Sequence, residues 1–327
     1  MPLAPLATNL QFDESPEPPE PLSQRPEQLA LRRDLQLAAV RDAYSSPVER
    51  LVYADEGITK SDVLEYYRAV AHRLLPELVN RPLSILRAPQ GVGHKTFFQK
   101  HHNPSLGAHI HSIELAQKNR TEPYIYIDDE RGLFQLIQLN ALEFHPWGSR
   151  SDQPEQPDRL IFDLDPGDCV QFSEIVEAAH TVRRELTRLR LKAFVRSSGR
   201  QGLHVIAPIT PGPSWTEVKD FCEAFATVMA KREPNRYVAS LSKARRRGRV
   251  FVDWLRNMRG ATAASSWSLR AHDGAPVVVP LHWEELDELP AGAMFGLERA
   301  RQLALDPARD PWSGFHDLKQ KLPSFRF

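Results

Sequence analysis

Two aspartates, Asp163 and Asp165, stand one residue apart at the end of the apolar run LIFDLD. Side chains two residues apart on a strand point to the same face, so both carboxylates project together while the leucine between them turns into the hydrophobic layer. The Pro-Gly pair that follows ends the strand at the edge where α/β sheets open their ligand crevices. Neighbouring carboxylates repel each other unless a cation neutralises them, and a divalent Mg²⁺ or Mn²⁺ suits their oxygens.

A third aspartate has the same setting, because Asp253 closes the β-rich run RVFVD. Three aspartates on adjacent strand ends are what two-metal phosphoryl or nucleotidyl transfer requires. One ion activates an attacking hydroxyl and the other neutralises the leaving group, at about 3.5–4 Å from the first. We therefore expect two divalent ions, Mn²⁺ or Mg²⁺, on Asp163, Asp165 and Asp253, which would be both metal ligands and catalytic residues.

Two other interpretations of the carboxylates stay open. In a calcium loop of the EF-hand type, Asp163, Asp165 and Glu174 would take the first, third and twelfth positions. Gly167 would then stand where a ligand belongs and Asp168 where the glycine belongs, which disfavours this interpretation. A solvated acidic turn without metal also fits these residues when they are considered alone.

The turn SSGRQGLH has the composition of a phosphate cradle. Its two glycines allow backbone N–H groups to turn outward as an anion nest, and Ser198 and Arg200 add a hydroxyl and a charge. His204 begins the next strand and can donate a hydrogen bond to a phosphate. Most glycine-rich turns only connect strands, but the carboxylate pair upstream favours a metal-bound triphosphate here.

The densest basic run of the chain, KARRRGR, leads directly into RVFVD. Such runs are mostly solvated surface. Because this one ends next to Asp253, we expect some of its arginines, among them Arg246, to face the cleft of the carboxylates. Arg256 and Arg270 follow shortly after it.

The helices and strands that would position these residues are expected in two subdomains, between an N-terminal arm and a C-terminal tail. Residues 1–27 are rich in Pro and Glu, which predicts a disordered arm. Residues 28–300 are expected to form one α/β domain, whose N-terminal subdomain spans about 44–150. In this subdomain we expect a helix that starts at Thr59 or Ser61, strands at 83–87 and 124–128, and a helix at 132–142. A βαββαβ pattern over about 158–285 predicts a catalytic subdomain that shares a cleft with the first, and 301–327 would be a C-terminal tail.

Composition narrows the class of protein. Lys plus Arg and Asp plus Glu number 42 each, so no overall basic field indicates a nucleic-acid partner. The two cysteines fit a reducing compartment and exclude a four-cysteine zinc ribbon. With no apolar run of about 18 residues and no signal pattern, we expect a soluble, cytoplasmic protein without a membrane partner.

Three stretches resemble, in their order and spacing, the polymerase domain of bacterial ligase D. They are DLDPG, SGRQGLHV and VFVDWLRNMRGATA. Four stretches upstream are similar to the same family: DEGITKSDVLEYYRAVA, RPLSILRAPQGV, FFQKH and LEFHPW. This family belongs to the archaeo-eukaryotic primase superfamily and serves in non-homologous end joining. The resemblance covers residues 48–300. It implies a primase-type α/β (α+β) fold, with two mixed or antiparallel β-sheet subdomains flanked by helices around a central cleft.

The resemblance also implies an activity. The chain would be a metal-dependent nucleotidyltransferase that adds NTPs or dNTPs, with ribonucleotides preferred, to primer 3′-hydroxyls at DNA ends with 3′ overhangs or gaps, templated or untemplated. Asp163 and Asp165 would bind both metals, and Asp253 would complete the site that activates the 3′-hydroxyl. A Ku-type protein that bridges DNA ends and a ligase domain or separate ligase would be its partners.

Further roles follow from the resemblance. The nucleotide would be held by His145, Ser198, Arg200, His204, Arg246, Arg256 and Arg270. DNA would be held by Arg50, Lys60, Arg87, Lys95, Phe97, Phe98 and Lys100. The two phenylalanines would stack on template bases, since every base has a π-face. An ordinary core pair is the alternative for them, but the lysines at 95 and 100 favour an exposed loop.

Three departures from the family pattern have consequences. Gln201 stands where many members have a lysine, which leaves Arg200 to supply the charge of the turn. Leu86 stands where some relatives have a lysine that binds a 5′-phosphate, which leaves Arg87, Lys95 and Lys100 as candidates. The chain has no K-x-D-G ligase motif, so sealing of the break would come from another domain or protein.

Two rival functions share these features. A metal-dependent phosphoesterase or nuclease also needs carboxylates and basic residues, but it needs no triphosphate cradle. A non-catalytic DNA-end-binding module would not need all three aspartates. Primer extension with Mn²⁺ separates the three functions.

Overall fold

Most strands of the described residues belong to two β-sheets, one of five strands and one of six. The computed structural model describes residues 49–117, 119–290 and 294–324. The arm expected at residues 1–27 lies outside the described residues. Within the described ranges, no helix combines the length and the apolar character that crossing a bilayer requires.

The five-stranded sheet is built by the first part of the chain. The elements are β1 (Leu51–Tyr53), β2 (Ile58–Thr59), α1 (Lys60–Leu78), β3 (Leu83–Arg87), β4 (Phe97–Gln99), β5 (His111–Ala116), β6 (Thr121–Tyr126), α2 (Glu130–Gln138) and β7 (Ala141–Pro146). The hairpin β1-β2 and the long helix α1 precede the sheet, whose strand order is β4-β3-β6-β5, with β7 paired to β3.

Capping residues explain where α1 begins and where α2 ends. Thr59 caps α1 in a capping box with Asp62, which confirms one of the two predicted starts. The predicted end of α2 at residue 142 is wrong, because α2 ends at Gln138. Asn140 takes a positive φ of 65° there, and the chain then enters β7.

The six-stranded sheet has the order β11-β12-β8-β10-β9-β14, and all its pairs are antiparallel except β11 with β12. The predicted βαββαβ order is present, with one unpredicted short strand, residues 237–238, inserted before the last strand. The elements are β8 (Arg159–Pro166), α3 (Phe172–Arg188), β9 (Phe194–Ser197), β10 (Leu203–Pro208), α4 (Trp215–Arg232), β11 (Tyr237–Val238), β12 (Val250–Asp253), β13 (Pro276–Val277), β14 (Pro280–Leu281), β15 (Phe295–Gly296) and α5 (Leu297–Leu305).

Strict alternation along β8 gives this sheet two different faces. Leu160, Phe162 and Leu164 belong to the main apolar core, and the ring of Phe162 lies 4.7 Å from that of Phe225 on α4. The intervening residues Ile161 and Asp163 point to the opposite face, since side chains alternate along a strand.

Part of the opposite face is covered by residues 309–320, named here the C-terminal strap. Trp312 and Phe315 pack with Ile161, Phe194 and Ile206 in a separate apolar cluster. The Trp312 indole donates to the carbonyl of residue 195 at 2.9 Å, and the side chain of residue 320 donates to the carbonyl of residue 208 at 2.8 Å. Residues expected to form a tail are therefore part of the packed domain.

Candidate metal and nucleotide site

Three carboxylates meet on the open part of that face. Asp163 on β8 lies opposite Asp253 of β12 in the strand register and opposite His204 of β10 on its other side. Carboxylate oxygens of Asp163, Asp165 and Asp253 all lie within 4.8 Å of one another. They meet through antiparallel register and not at adjacent strand ends as expected, because β8 continues to Pro166 while β12 ends at Asp253.

The electrostatics of this trio favour a bound cation. Burial raises the pKa of Asp165 to about 7, with the charge of Asp163 adding to the effect, and burial likewise raises the pKa of Asp253. Burial would raise the pKa of Asp163 too, but His204 and Arg256 outweigh it and hold that pKa well below its usual range. The Oδ1 atom of Asp163 is buried without a well-formed hydrogen bond, since its nearest donor, His204 Nε2, lies 3.4 Å away. An oxygen-rich, repulsive cluster with a weakly hydrogen-bonded oxygen fits a hard divalent ion.

Arg256 neutralises part of this charge. Its Nε lies 3.1 Å from Asp163 Oδ2 and 3.4 Å from Asp253 Oδ2, so one guanidinium bridges two of the carboxylates. Its nucleotide contact stays a prediction.

His204 is held by a residue that the sequence analysis did not single out. The Nε of Arg196 donates to His204 Nδ1 at 3.1 Å, and an arginine is always protonated. The ring proton of neutral His204 must therefore be on Nε2, which lies 3.4 Å from Asp163 Oδ1. Arg196 is itself paired with Glu77 of α1 at 2.9 Å. The signal that could have found it is strand register, since Arg196 lies opposite His204.

The turn at Ser198 differs from the predicted anion nest. The N–H groups of Arg200 and Gly202 donate to Ser198 Oγ, at 3.3 and 3.1 Å, instead of turning outward. The serine hydroxyl satisfies these donors locally, so its own hydrogen points elsewhere and can serve a ligand. Gly199 has a φ of 71°, which a residue with a side chain rarely adopts.

A second cluster links the two sheets. Glu143 Oε2 on β7 lies 2.7 Å from His145 Nε2 and accepts from Arg270 Nε at 3.0 Å. Arg270 also donates to the carbonyl of Ser198 at 2.6 Å. Burial would raise the pKa of Glu143, but the hydrogen bond from His145 and the charge of Arg270 lower it to about 2. Glu143 was missed although it stands two residues before His145 on the same strand face.

The basic run approaches the carboxylates through one close contact. A Cβ atom on Gly167 would lie 1.8 Å from the Arg246 carbonyl oxygen, so the loop after β8 and the basic loop can pack together only with glycine there. The Arg246 guanidinium lies 3.7 Å from the centroid of the Phe251 ring. Arg246 lines the cleft, as expected of part of the run, whereas Lys243 and Arg247 are exposed.

These groups surround a cleft of about 950 Å³ to which both sheets contribute. The cleft also brings in residues that the sequence analysis did not assign, including His272 and Asp273, which follow Arg270 directly. The predicted site residues that line it are Phe98, His145, Asp163, Asp165, Ser198, Arg200, His204, Arg246, Arg256 and Arg270.

Three predicted DNA-binding residues are placed elsewhere, at the end of α2. Lys60 donates to the Gln138 carbonyl at 2.8 Å, Arg50 to Asn140 Oδ1 at 2.6 Å, and Arg87 to the carbonyl of residue 139 at 2.7 Å. Burial and the charge of Arg50 lower the pKa of Lys60 to about 8. Lys60 and Arg87 thus satisfy carbonyls at a helix C-terminus, and Arg50 binds a side-chain oxygen just beyond it. Their DNA contacts stay predictions.

The remaining predicted DNA-binding residues are exposed on and beside β4. Phe98 is 59% exposed, and its ring meets that of His145 edge-on at 5.3 Å. Phe97 is 37% exposed, and Lys95 and Lys100 are exposed as well. The exposure is as expected and excludes a core pair, but the expected loop is wrong, because Phe97 and Phe98 lie on strand β4. Base stacking stays a prediction.

Comparisons with known proteins find similar sequences. The family model described as "LigD, primase-polymerase domain" matches residues 59–312. The multifunctional non-homologous end joining protein LigD of Pseudomonas aeruginosa is 34% identical over 289 residues, which are 87% of this chain and 34% of that protein. Its namesake in Mycolicibacterium smegmatis is 30% identical over 272 residues, 83% of this chain and 34% of that protein.

A solved structure is also similar. It is described as the polymerase domain from Mycobacterium tuberculosis ligase D in complex with DNA, with a TM-score of 0.77 and 30% identity, covering 83% of this chain and 96% of that one. The chain spans about a third of the length of the two curated relatives named above.

Proposed function

The chain belongs to the LigD primase-polymerase domain family, and we propose that it is a metal-dependent nucleotidyltransferase that extends primer 3′-hydroxyls at DNA ends. The observation that carries the proposal is the convergence of Asp163, Asp165 and Asp253 under a cleft lined by arginines and hydroxyls. A phosphoesterase would also need carboxylates and basic residues, but it would not need a cleft that gathers a serine hydroxyl, a histidine and several arginines around a whole triphosphate.

Asp163, Asp165 and Asp253 would hold two Mn²⁺ or Mg²⁺ ions. When bound, the ions would lower the pKa of the attacking 3′-hydroxyl and neutralise the departing pyrophosphate. The chain's own carboxylates fix where that charge sits, and the weakly hydrogen-bonded Oδ1 of Asp163 supports this assignment. Burial of the aspartates keeps bulk water from screening the charge.

The nucleotide would lie in the cleft with its phosphates toward the Ser198 turn. The Ser198 hydroxyl, the His204 Nε2–H and the guanidinium groups of Arg200, Arg246 and Arg270 are the donors on that side. Gln201 also lines the cleft but carries no charge, so Arg200 supplies the cation of the turn. A preference for ribonucleotides is part of the proposal and is implied by the family.

The DNA end would lie along β4. Phe97 and Phe98 offer partly exposed rings for bases, and Lys95 and Lys100 offer charge for phosphates. Arg87 is a further candidate for a recessed 5′-phosphate. The relative solved with DNA supports a nucleic-acid partner. The relatives are named for end joining, and we propose that a ligase activity and a Ku-type protein outside this sequence complete the repair.

Primer extension tests the proposal directly. Purified protein is incubated with Mn²⁺ and each NTP or dNTP on DNA with a 3′ overhang or a gap. We expect the primer to lengthen, faster with NTPs, and chelation of the metal to stop the reaction. Shortening of the primer would indicate a nuclease, and DNA binding without extension in any metal would indicate an end-binding module; either result contradicts the proposal.

A further inference from the structure

Glu143 occupies an unusual place between the two sides of the cleft. The residue is 4% exposed, and both of its carboxylate oxygens accept hydrogen bonds. Oε2 serves His145 and Arg270, and Oε1 accepts from the backbone N–H of Ala271 at 2.8 Å. Two of these three donors belong to side chains that line the cleft.

The carboxylate determines which nitrogen of His145 carries the proton. An ionised Glu143 can only accept, so the ring nitrogen at 2.7 Å from it, Nε2, must donate. When the ring is neutral, Nδ1 is left with its lone pair on the other side. His145 is thereby fixed in one tautomer and one orientation, in the way that a carboxylate orients a histidine in other enzyme sites.

The same carboxylate fixes Arg270 against the turn that precedes β10. The Nε of Arg270 donates to Glu143, and its Nη1 donates to the Ser198 carbonyl at 2.6 Å. The Arg270 side chain also packs on Gly199, where an added Cβ would lie 2.6 Å from Arg270 Cγ. Glu143 thus connects β7 of the five-stranded sheet to the Ser198 turn of the six-stranded sheet through one arginine.

We propose that Glu143 is a positioning residue of the nucleotide site, which holds His145 and Arg270 so that both sides of the cleft present their polar atoms to one nucleotide. This inference rests on the proposed function. The metal ligands Asp163, Asp165 and Asp253 are on other strands, and none of the hydrogen bonds of Glu143 involves them. Loss of Glu143 should weaken nucleotide binding and leave metal binding unchanged.

The first test compares Glu143→Ala and Glu143→Gln with a matched control, Glu285→Gln. Glu285 also pairs with a buried arginine, Arg309 of the strap, but it does not line the cleft. Nucleotide KM, DNA KM and kcat are measured by primer extension, and Mn²⁺ affinity by titration. We expect Glu143→Ala to raise the nucleotide KM about tenfold to a hundredfold, as loss of charge-assisted hydrogen bonds predicts.

Glu143→Gln should have a smaller effect, because its amide oxygen can still accept from His145 and Arg270. The Mn²⁺ affinity and DNA KM of both variants, and all constants of Glu285→Gln, should match the wild type. Circular dichroism checks the fold, and if Glu143→Ala is unfolded, the Gln variant alone decides the outcome; loss of Mn²⁺ binding in a folded variant contradicts the proposal. A nucleotide KM of the well-folded variants within twofold of the wild type overturns the proposal.

A second measurement separates this inference from the proposed function, because it needs no nucleotide. In protein with ¹⁵N-labelled histidine, the His145 signals are assigned by their loss in His145→Gln. We expect the wild type to show the Nε2–H tautomer and Glu143→Ala to show a mixture of tautomers. An unchanged tautomer in Glu143→Ala contradicts the role of Glu143 even if primer extension succeeds. Failure of wild-type primer extension, with the tautomer change present, would contradict the proposed function instead.

Discussion

One face of the six-stranded sheet has two parts that differ in their effect on stability. The strap covers one part, and the cleft opens over the other. Toward the strap, Ile161 packs with Trp312 and Phe315 in an apolar cluster. Two residues further along β8, Asp163 has a buried oxygen without a well-formed hydrogen bond beside two more carboxylates. The first region stabilises the fold by burying apolar area, and the second destabilises it by crowding like charges. A substitution should therefore separate stability from activity according to the region that it touches.

The largest effect on activity is expected at the centre of the cleft region. Asp163→Asn keeps the shape of the side chain but removes the charge that would hold the ions. We expect nucleotide addition to fall about a thousandfold or more, as loss of metal-ion catalysis predicts. Single-turnover primer extension with Mn²⁺ measures the rate, and circular dichroism checks the fold. A rate within tenfold of the wild type would remove the basis of the site assignment.

The largest effect on stability is expected in the strap. Trp312 is 9% exposed and its indole N–H is hydrogen-bonded. Trp312→Ala should lower the free energy of unfolding by about 3 to 5 kcal/mol, the usual range for a large core residue. Urea unfolding measures this loss. At a temperature where the variant is folded, primer extension should fall far less than in Asp163→Asn, although Trp312 also packs on Arg196, which holds His204. A loss of stability below about 1 kcal/mol would show that the strap is not part of the core.

An intermediate effect is expected at the contact between the two loops of the cleft. Gly167→Ala forces the backbone at Arg246 to move, because the new Cβ would lie 1.8 Å from its carbonyl oxygen. We expect nucleotide affinity to fall about tenfold through displacement of the arginine. Gly148→Ala is the control, since its Cβ would meet its nearest neighbour at an ordinary 3.5 Å. Equal nucleotide affinities in equilibrium titrations of the two variants would argue against Arg246 as a ligand of the nucleotide.

The smallest expected effect is a gain in stability on replacing Asp165, whereas the substitution in the strap lowers stability. The pKa of Asp165 is raised to about 7 in the folded protein, above its value in the unfolded chain. The wild type therefore loses stability as pH rises from the unfolded pKa to about 7, because only the folded state holds the proton there. With a chelator present, Asp165→Asn should be more stable than the wild type by about 1 kcal/mol at about pH 8, and by less at about pH 5.

Urea unfolding at both pH values tests this expectation. A lower stability of Asp165→Asn at the higher pH would contradict the charge crowding on which the comparison of the two regions depends.

The sequence predicted the cleft region much better than the strap. Alternation along β8 and the β-rich run before Asp253 were enough to bring the three aspartates together. The contribution of Trp312 and Phe315 was missed, because two aromatic residues in an aperiodic segment give no sign of which distant strand they cover. The closed Ser198 turn was missed for another reason: whether an N–H group faces outward depends on a side-chain hydrogen bond that composition does not specify.

The measurement that tests the account most directly is anomalous diffraction from crystals of the protein grown with Mn²⁺ and a nucleoside triphosphate. We predict two manganese peaks about 3.5–4 Å apart, coordinated by Asp163, Asp165 and Asp253. Manganese bound only at other residues, or no peak at saturating concentration, would contradict the claim that these three carboxylates form the metal site.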